Sequence, residues 1–234
     1  MTPSREPRIP QQKRSQDRVT KILDATEALI VEQGLEGITA HTIARKAGVA
    51  PAGVYFFFPD HKMVFEALAQ RNNQYFNKIL PKHLVEPDIK TWTDLMAAIF
   101  TAITEFCIES KSARAIYFGL EGKYFGRWTT TIYSAQLADF IQRLFAHFFD
   151  TPEIKRLNMK YVLVGEIIFS GYVQAIKKGD PIDHDVIAET QEAVEGYMSR
   201  WIGDPKRKEY VSPNIVVAGE ALSMDARGPR HNDV

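Results

Sequence analysis

Thr39-Ala40-His41-Thr42-Ile43-Ala44-Arg45-Lys46-Ala47-Gly48-Val49-Ala50-Pro51-Ala52-Gly53-Val54-Tyr55-Phe56-Phe57-Phe58 is the stretch on which the reading of this chain turns. Two short helices can cross closely only where the contact residue is small, and Ala44 is small. The turn between them needs a residue that accepts positive φ, and Gly48 stands four positions on. Val54 plugs the junction from the second helix, and Ile43 and Val49 complete a small core. Thr39 is placed to cap the first helix. Pro51 can open the second, because a proline at the first helical position loses no hydrogen bond, and Pro59 stops it. This is helix-turn-helix spacing, although an ordinary helical hairpin shares it.

Upstream, Val19, Ile22, Leu23, Thr26, Leu29 and Ile30 recur at helical spacing, and Gly34 can end that helix in the left-handed conformation. Downstream, Asp60 caps a further helix expected to run to about Leu80, ahead of Pro81. Helices are expected near 91–109, 111–120, 127–149, 153–178 and 184–202, with Pro or Gly at the breaks. No convincing alternating strand is found. The expected fold class is therefore all-α. The expected divisions are a flexible basic arm over 1–15, a DNA-binding helix-turn-helix unit over 16–62, a ligand-binding and dimerisation unit over 63–203, and a mostly disordered tail over 204–234.

Lys plus Arg number 29 and Asp plus Glu number 29, so a globally basic coat for nucleic acid is excluded while a local basic patch is not. Up to Lys21 there are six cations against two acids, an asymmetry that suggests a polyanion contact. Cys107 is the single cysteine, which rules out an intrachain disulfide and fits a reducing compartment. With no secretory pattern at the start and no long apolar run, a cytoplasmic location and no membrane partner are expected. GxGxxG, P-loop, Gly-x-Ser-x-Gly and His-Glu-x-x-His motifs are absent. His147, His184 and His231 lack ligand spacing. No enzyme activity, cofactor or metal is expected.

Residues 18 to 66 resemble the DNA-binding domain of the TetR family of bacterial transcriptional regulators. The resemblance is carried by Ile22-Leu23-Asp24-Ala25, Gly34 with Ile38-Thr39, Ile43-Ala44-Arg45-Lys46-Ala47-Gly48-Val49, Val54-Tyr55, Phe58-Pro59-Asp60 and Val64-Phe65. It implies three N-terminal helices for DNA and about six more for ligand and dimer contacts. It implies a homodimer on a pseudo-palindromic, double-stranded operator, more often as a repressor, released by a small-molecule effector. On this resemblance Tyr55 matches a tyrosine that meets a phosphate, and His41 stands where an arginine often faces bases. The family's usual lysine aligns with His61, for which Lys62 can substitute. The chain departs from the common Ser-Lys-Gly run at Ala50 to Ala52, so Pro51, Ala52 and Gly53 offer close approach and thymine-methyl contact in place of hydrogen bonds. Thr39 and Thr42 carry hydroxyls suited to phosphates, and Arg14 and Arg18 are expected to meet phosphates or the minor groove.

Aromatic residues crowd 91–180, which reads either as plain core or as a pocket for a largely apolar ligand. Phe106, Tyr117, Glu121, Trp128, Phe169 and Tyr172 are the candidate ligand residues. Glu105, Glu121 and Glu166 interrupt apolar stretches, and an internal cationic partner is the favoured reading for each. Gly165, Ile168, Val194, Met198 and Trp201 are the candidate dimer contacts. Two other functions fit the same residues. One is a helical small-molecule-binding protein or enzyme whose N-terminal hairpin is only structural. The other is a low-specificity architectural DNA binder, encouraged by the apolar second helix of the motif.

Overall fold

The computed structural model describes residues 13–60, 62–85, 88–118, 126–150, 153–177 and 181–209, with side chains at all of these except 62 and 126–134. Among the described residues there are nine helices: α1 (Lys13–Gln33), α2 (Ala40–Ala47), α3 (Pro51–Phe57), α4 (Lys62–His83), α5 (Trp92–Glu109), α6 (Lys111–Phe118), α7 (Gly126–Phe148), α8 (Leu157–Ile176) and α9 (His184–Ile202). No strand is present among them, and the single bridge joins Phe149 and Arg207. The chain is all-α.

Local chemistry explains most of the boundaries. Thr39 and Thr42 form a reciprocal capping box at the start of α2. Gly48 ends α2 at φ 65, where its N–H reaches back to Ala44 and Arg45. Thr91 and Asp94 repeat the capping box at α5, and the Asp183 side chain caps α9. Two boundaries differ from expectation. Pro81 does not end α4, which runs on to His83 and closes with Leu84 N on Leu80 O at 3.2 Å. α8 starts at Leu157 and not near 153, because Arg156 takes a left-handed φ of 57 just before it.

The head and the body share one continuous core. Ile22, Ile30, Ile43, Ala44, Val54 and Phe57 close the head, and Phe65, Leu68 and Ala69 carry the packing along α4 into the body. A polar hub joins α1, α4 and α6. Arg71 of α4 pairs with Asp24 (2.5 Å) and Glu27 (2.6 Å) of α1, and Ser112 of α6 donates to the same Glu27 at 2.6 Å. In the body α8 packs on α7 and α9.

Two expected divisions are corrected. The arm expected over 1–15 overlaps α1, which already begins at Lys13, so Arg14 lies on a helix; residues 1–12 lie outside the described residues. The first residues of the tail expected from 204 are tied down. Arg207 Nε donates to Ile89 O at 2.6 Å, Asp150 N donates to Lys206 O at 2.9 Å, and Lys208 N donates to Phe148 O at 2.9 Å. Backbone groups that find partners do not stay loose. Residues 210–234 lie outside the described residues.

Candidate nucleic-acid interface

The inner faces of α2 and α3 are sealed. Ile43, Ala44, Val54 and Phe57 are buried and Val49 is half-buried, as helix-turn-helix spacing requires. That leaves one outward face on α3, made of Pro51, Ala52, Tyr55 and Phe56, all exposed. They stand at i, i+1, i+4 and i+5, which is one helical stripe. Tyr55 is 47% exposed, so it is not a core aromatic. Its ring meets His41 of α2 edge-on, with centroids 6.4 Å apart. His41 is exposed, and Arg45, one turn further along α2, is exposed beside it. Sequence reasoning missed Phe56. It is 53% exposed and rests edge-on against Phe57 at 4.9 Å. The helical stripe running through Pro51, Ala52 and Tyr55 was the signal that could have found it.

The other candidates are placed less uniformly. Gly53 is half-buried, and a Cβ there would point at Val49 Cβ, 4.0 Å away, so it faces the helix crossing more than the outside. Thr42 Oγ1 donates to Thr39 O at 2.9 Å and accepts from Thr39 N at 2.8 Å. In this arrangement its proton serves the cap. Thr39 Oγ1 accepts from Thr42 N at 3.2 Å and lies at the exposed end of α2. Arg14 and Arg18 are exposed, one turn apart on α1. Lys46 pairs with Glu32 at 2.5 Å. His61 lies outside the described residues; Lys62 opens α4, and its side chain lies outside them.

In the body, Phe106, Tyr117 and Phe169 come together around an apolar cavity of about 50 Å³, with Phe76, Phe118 and Phe140 among the other walls. That volume is small beside the roughly 300–1,000 Å³ of pockets for drug-sized ligands. Tyr117 also anchors α6 to α4, its hydroxyl within hydrogen-bond reach of Ala69 O at 3.0 Å and of the Asn73 side chain. Tyr172 is not in the cavity wall. It is fully buried behind Phe118 and donates to Phe100 O at 2.9 Å, with Thr104 Oγ1 at 2.7 Å. Burial pushes its phenol well above the ordinary range, so it is a neutral structural group. Glu121 and the Trp128 side chain lie outside the described residues. Glu105 has the internal partners expected of it, His83 at 2.5 Å and Lys82 at 3.3 Å. Cys107 is fully buried, and burial raises its thiol, which leaves it protonated and inert as a nucleophile. Among the described residues no three His, Cys, Asp or Glu side chains gather as a metal site, and no helix is long and apolar enough to cross a membrane.

The candidate dimer residues need the largest correction. Gly165, Ile168, Val194 and Met198 are buried within the single chain, where a partner cannot reach them. α8 has apolar residues on two faces, and the structure turns this set inward. Trp201 is half-buried, packed on Tyr161 at 5.5 Å with Lys160 Nζ 5.4 Å over its ring. The outward stripe of α8 is Met159, Leu163, Ile167 and Ser170. From Leu163 to Ser170 it borders an open groove of about 710 Å³ that α9 lines with Val186, Glu189 and Ala193.

Comparison with known proteins agrees with this geometry. Residues 22–68 match the family model described as bacterial regulatory proteins, tetR family. None of the curated proteins matches the chain. Solved structures share the fold at low identity. A TetR-family transcriptional regulator from Streptomyces coelicolor is 21% identical with a TM-score of 0.62, covering 78% of this chain and 98% of that one. SmeT, the repressor of the Stenotrophomonas maltophilia multidrug efflux pump SmeDEF, is 18% identical with a TM-score of 0.56, covering 85% and 94%. A TetR-family regulator from a Rhodococcus species is 16% identical with a TM-score of 0.57, covering 79% and 100%.

Proposed function

We propose that this chain, a TetR-family protein by its head over residues 22–68, is a homodimeric, ligand-responsive transcriptional regulator that acts as a repressor. The observation that carries the reading is the Tyr55–His41 edge contact on the one outward face of a sealed helix pair. In this arrangement α3 enters the major groove, and two heads address half-sites about 34–36 Å apart. Tyr55 donates to a phosphate, Arg14 and Arg18 add charge from α1, and His41 reaches a base edge. The outward stripe of α8, extended by the groove against α9, supplies the apolar area for the second copy. The aromatic cavity is the entry point for a small, largely apolar effector, and it must widen to take one.

The test is selection of duplexes from a randomised library, followed by titration of the enriched and scrambled duplexes at one salt concentration. Tyr55→Phe is expected to weaken both by similar amounts, roughly 1.5–3 kcal/mol for a hydrogen bond to a charged group. His41→Ala is expected to lose roughly 1–3 kcal/mol on the enriched duplex and much less on the scrambled one. Equal binding of wild type to both duplexes would favour an architectural DNA binder, and no binding would favour a helical protein whose hairpin is only structural.

A further inference from the structure

The outward face of α3 is almost bare of polar side chains. Pro51, Ala52 and Phe56 present only carbon, and the Tyr55 hydroxyl is the sole polar group on that stripe. Reading bases by hydrogen bonds requires donors or acceptors aimed at the groove floor, and this face has nearly none. The major groove does hold one apolar group that marks sequence, the C5-methyl of thymine. A phosphate contact does not suit Phe56, whose ring has no N–H or O–H to donate and would strip water from the charge. Its 53% exposure leaves a large ring edge in water on the free protein. Polar and cationic groups flank the apolar strip: His41 lies 6.4 Å from Tyr55 and Arg45 is one turn further along α2. An apolar centre with a cationic margin complements a groove floor of methyl groups between phosphate walls.

We propose that α3 reads C5-methyl groups in the major groove through Pro51, Ala52 and Phe56, with Phe56 selecting which thymines are accepted. The inference rests on the DNA-binding reading above. Because 5-methylcytosine carries its methyl at the same ring position, it follows that α3 accepts 5-methylcytosine in place of thymine at the positions it covers.

The experiment uses the full chain and the duplex enriched by selection. Each T·A pair of that duplex is replaced in turn by U·A, C·G and 5-methylcytosine·G, and affinity is measured by fluorescence anisotropy at fixed salt. Where α3 sits, thymine and 5-methylcytosine are expected to bind alike, and uracil and cytosine to bind about fourfold more weakly per methyl removed, the factor carried by burial of one such group. Phe56→Ala is expected to close the gap between thymine and uracil at one or more positions while binding to scrambled duplex persists. Uracil that is silent at every position overturns the methyl reading and leaves DNA binding intact, as does 5-methylcytosine that binds no better than cytosine. A thymine–uracil gap unchanged in Phe56→Ala overturns the role of Phe56. If no duplex enriches at all, sequence reading by α3 fails with the proposal, and if no duplex binds, the DNA-binding reading itself fails.

Discussion

A Cβ built on Gly171 would lie 2.1 Å from Thr190 Oγ1 and 2.7 Å from Thr190 Cβ, so α8 and α9 touch there through a missing side chain. Thr190 cannot swing away freely, because its hydroxyl donates to Val186 O at 2.6 Å. Gly171→Ala is therefore expected to cost roughly 1–3 kcal/mol by overpacking. Thr190→Ala removes the nearest atoms but keeps the Cβ, whereas Thr190→Gly removes them all. Urea unfolding of the double-mutant cycle checks the cause: the Gly171→Ala penalty should nearly vanish in a Thr190→Gly background, and an equal penalty in both would dismiss the close approach. At this scale the sequence was legible only in part. Ala44, Gly48 and Val54 announced their jobs, because each role demands a particular size or φ. The need for glycine at 171 is not legible in the sequence, since nothing local points from residue 171 to residue 190. Phe56 went unread because an aromatic in a run of aromatics looks like core until the helix phase is known.

Most helices were legible from period and caps, which act over three or four residues and need no tertiary information. Thr91 with Asp94 is such a pair, and it makes α5 a place to test. The hydrogen bond from the Thr91 backbone N–H holds the Asp94 carboxyl below its ordinary value of 3.8. The folded value lies under the unfolded one, so the stabilisation is complete above the ordinary value and is lost as pH falls through the folded value. The urea midpoint of the wild type should therefore drop more than that of Asp94→Asn between about pH 5 and about pH 2.5. Equal drops would remove the cap carboxylate from the acid sensitivity. α8 shows where element-level reading stops. Tyr161, Val164 and Ile168 line one face while Met159, Leu163 and Ile167 line another. A helix apolar on two faces does not disclose which one its own fold will claim. The chain buried the Ile168 face, and the interface residues chosen from sequence went with it. The pinned segment after α9 was equally hidden, because its partners at Phe148 and Ile89 are far away in sequence.

For the whole molecule, the outward stripe of α8 makes an assembly prediction. Leu163 is 42% exposed and Met159 is 47% exposed on the free chain. Sedimentation velocity at micromolar concentration should find a dimer, and Leu163→Arg should shift it to monomer with helicity unchanged. A wild-type monomer, or a variant that still dimerises, would move the interface off this stripe. The hub on Glu27 has a different kind of consequence. Arg71 of α4 and Ser112 of α6 hold the same carboxylate of α1, and α6 also carries Tyr117 into the cavity wall. The head is thus tied to a helix that also walls the cavity proposed above for an effector. Linkage between two such sites is reciprocal by thermodynamic necessity. Whatever factor an effector takes from the grip on DNA, DNA takes from the grip on the effector. Under the function proposed above, a chain seated on its operator would then be a poorer receptor than the same chain free in solution, and an effector that shifts α6 would meet its first targets among the unbound copies.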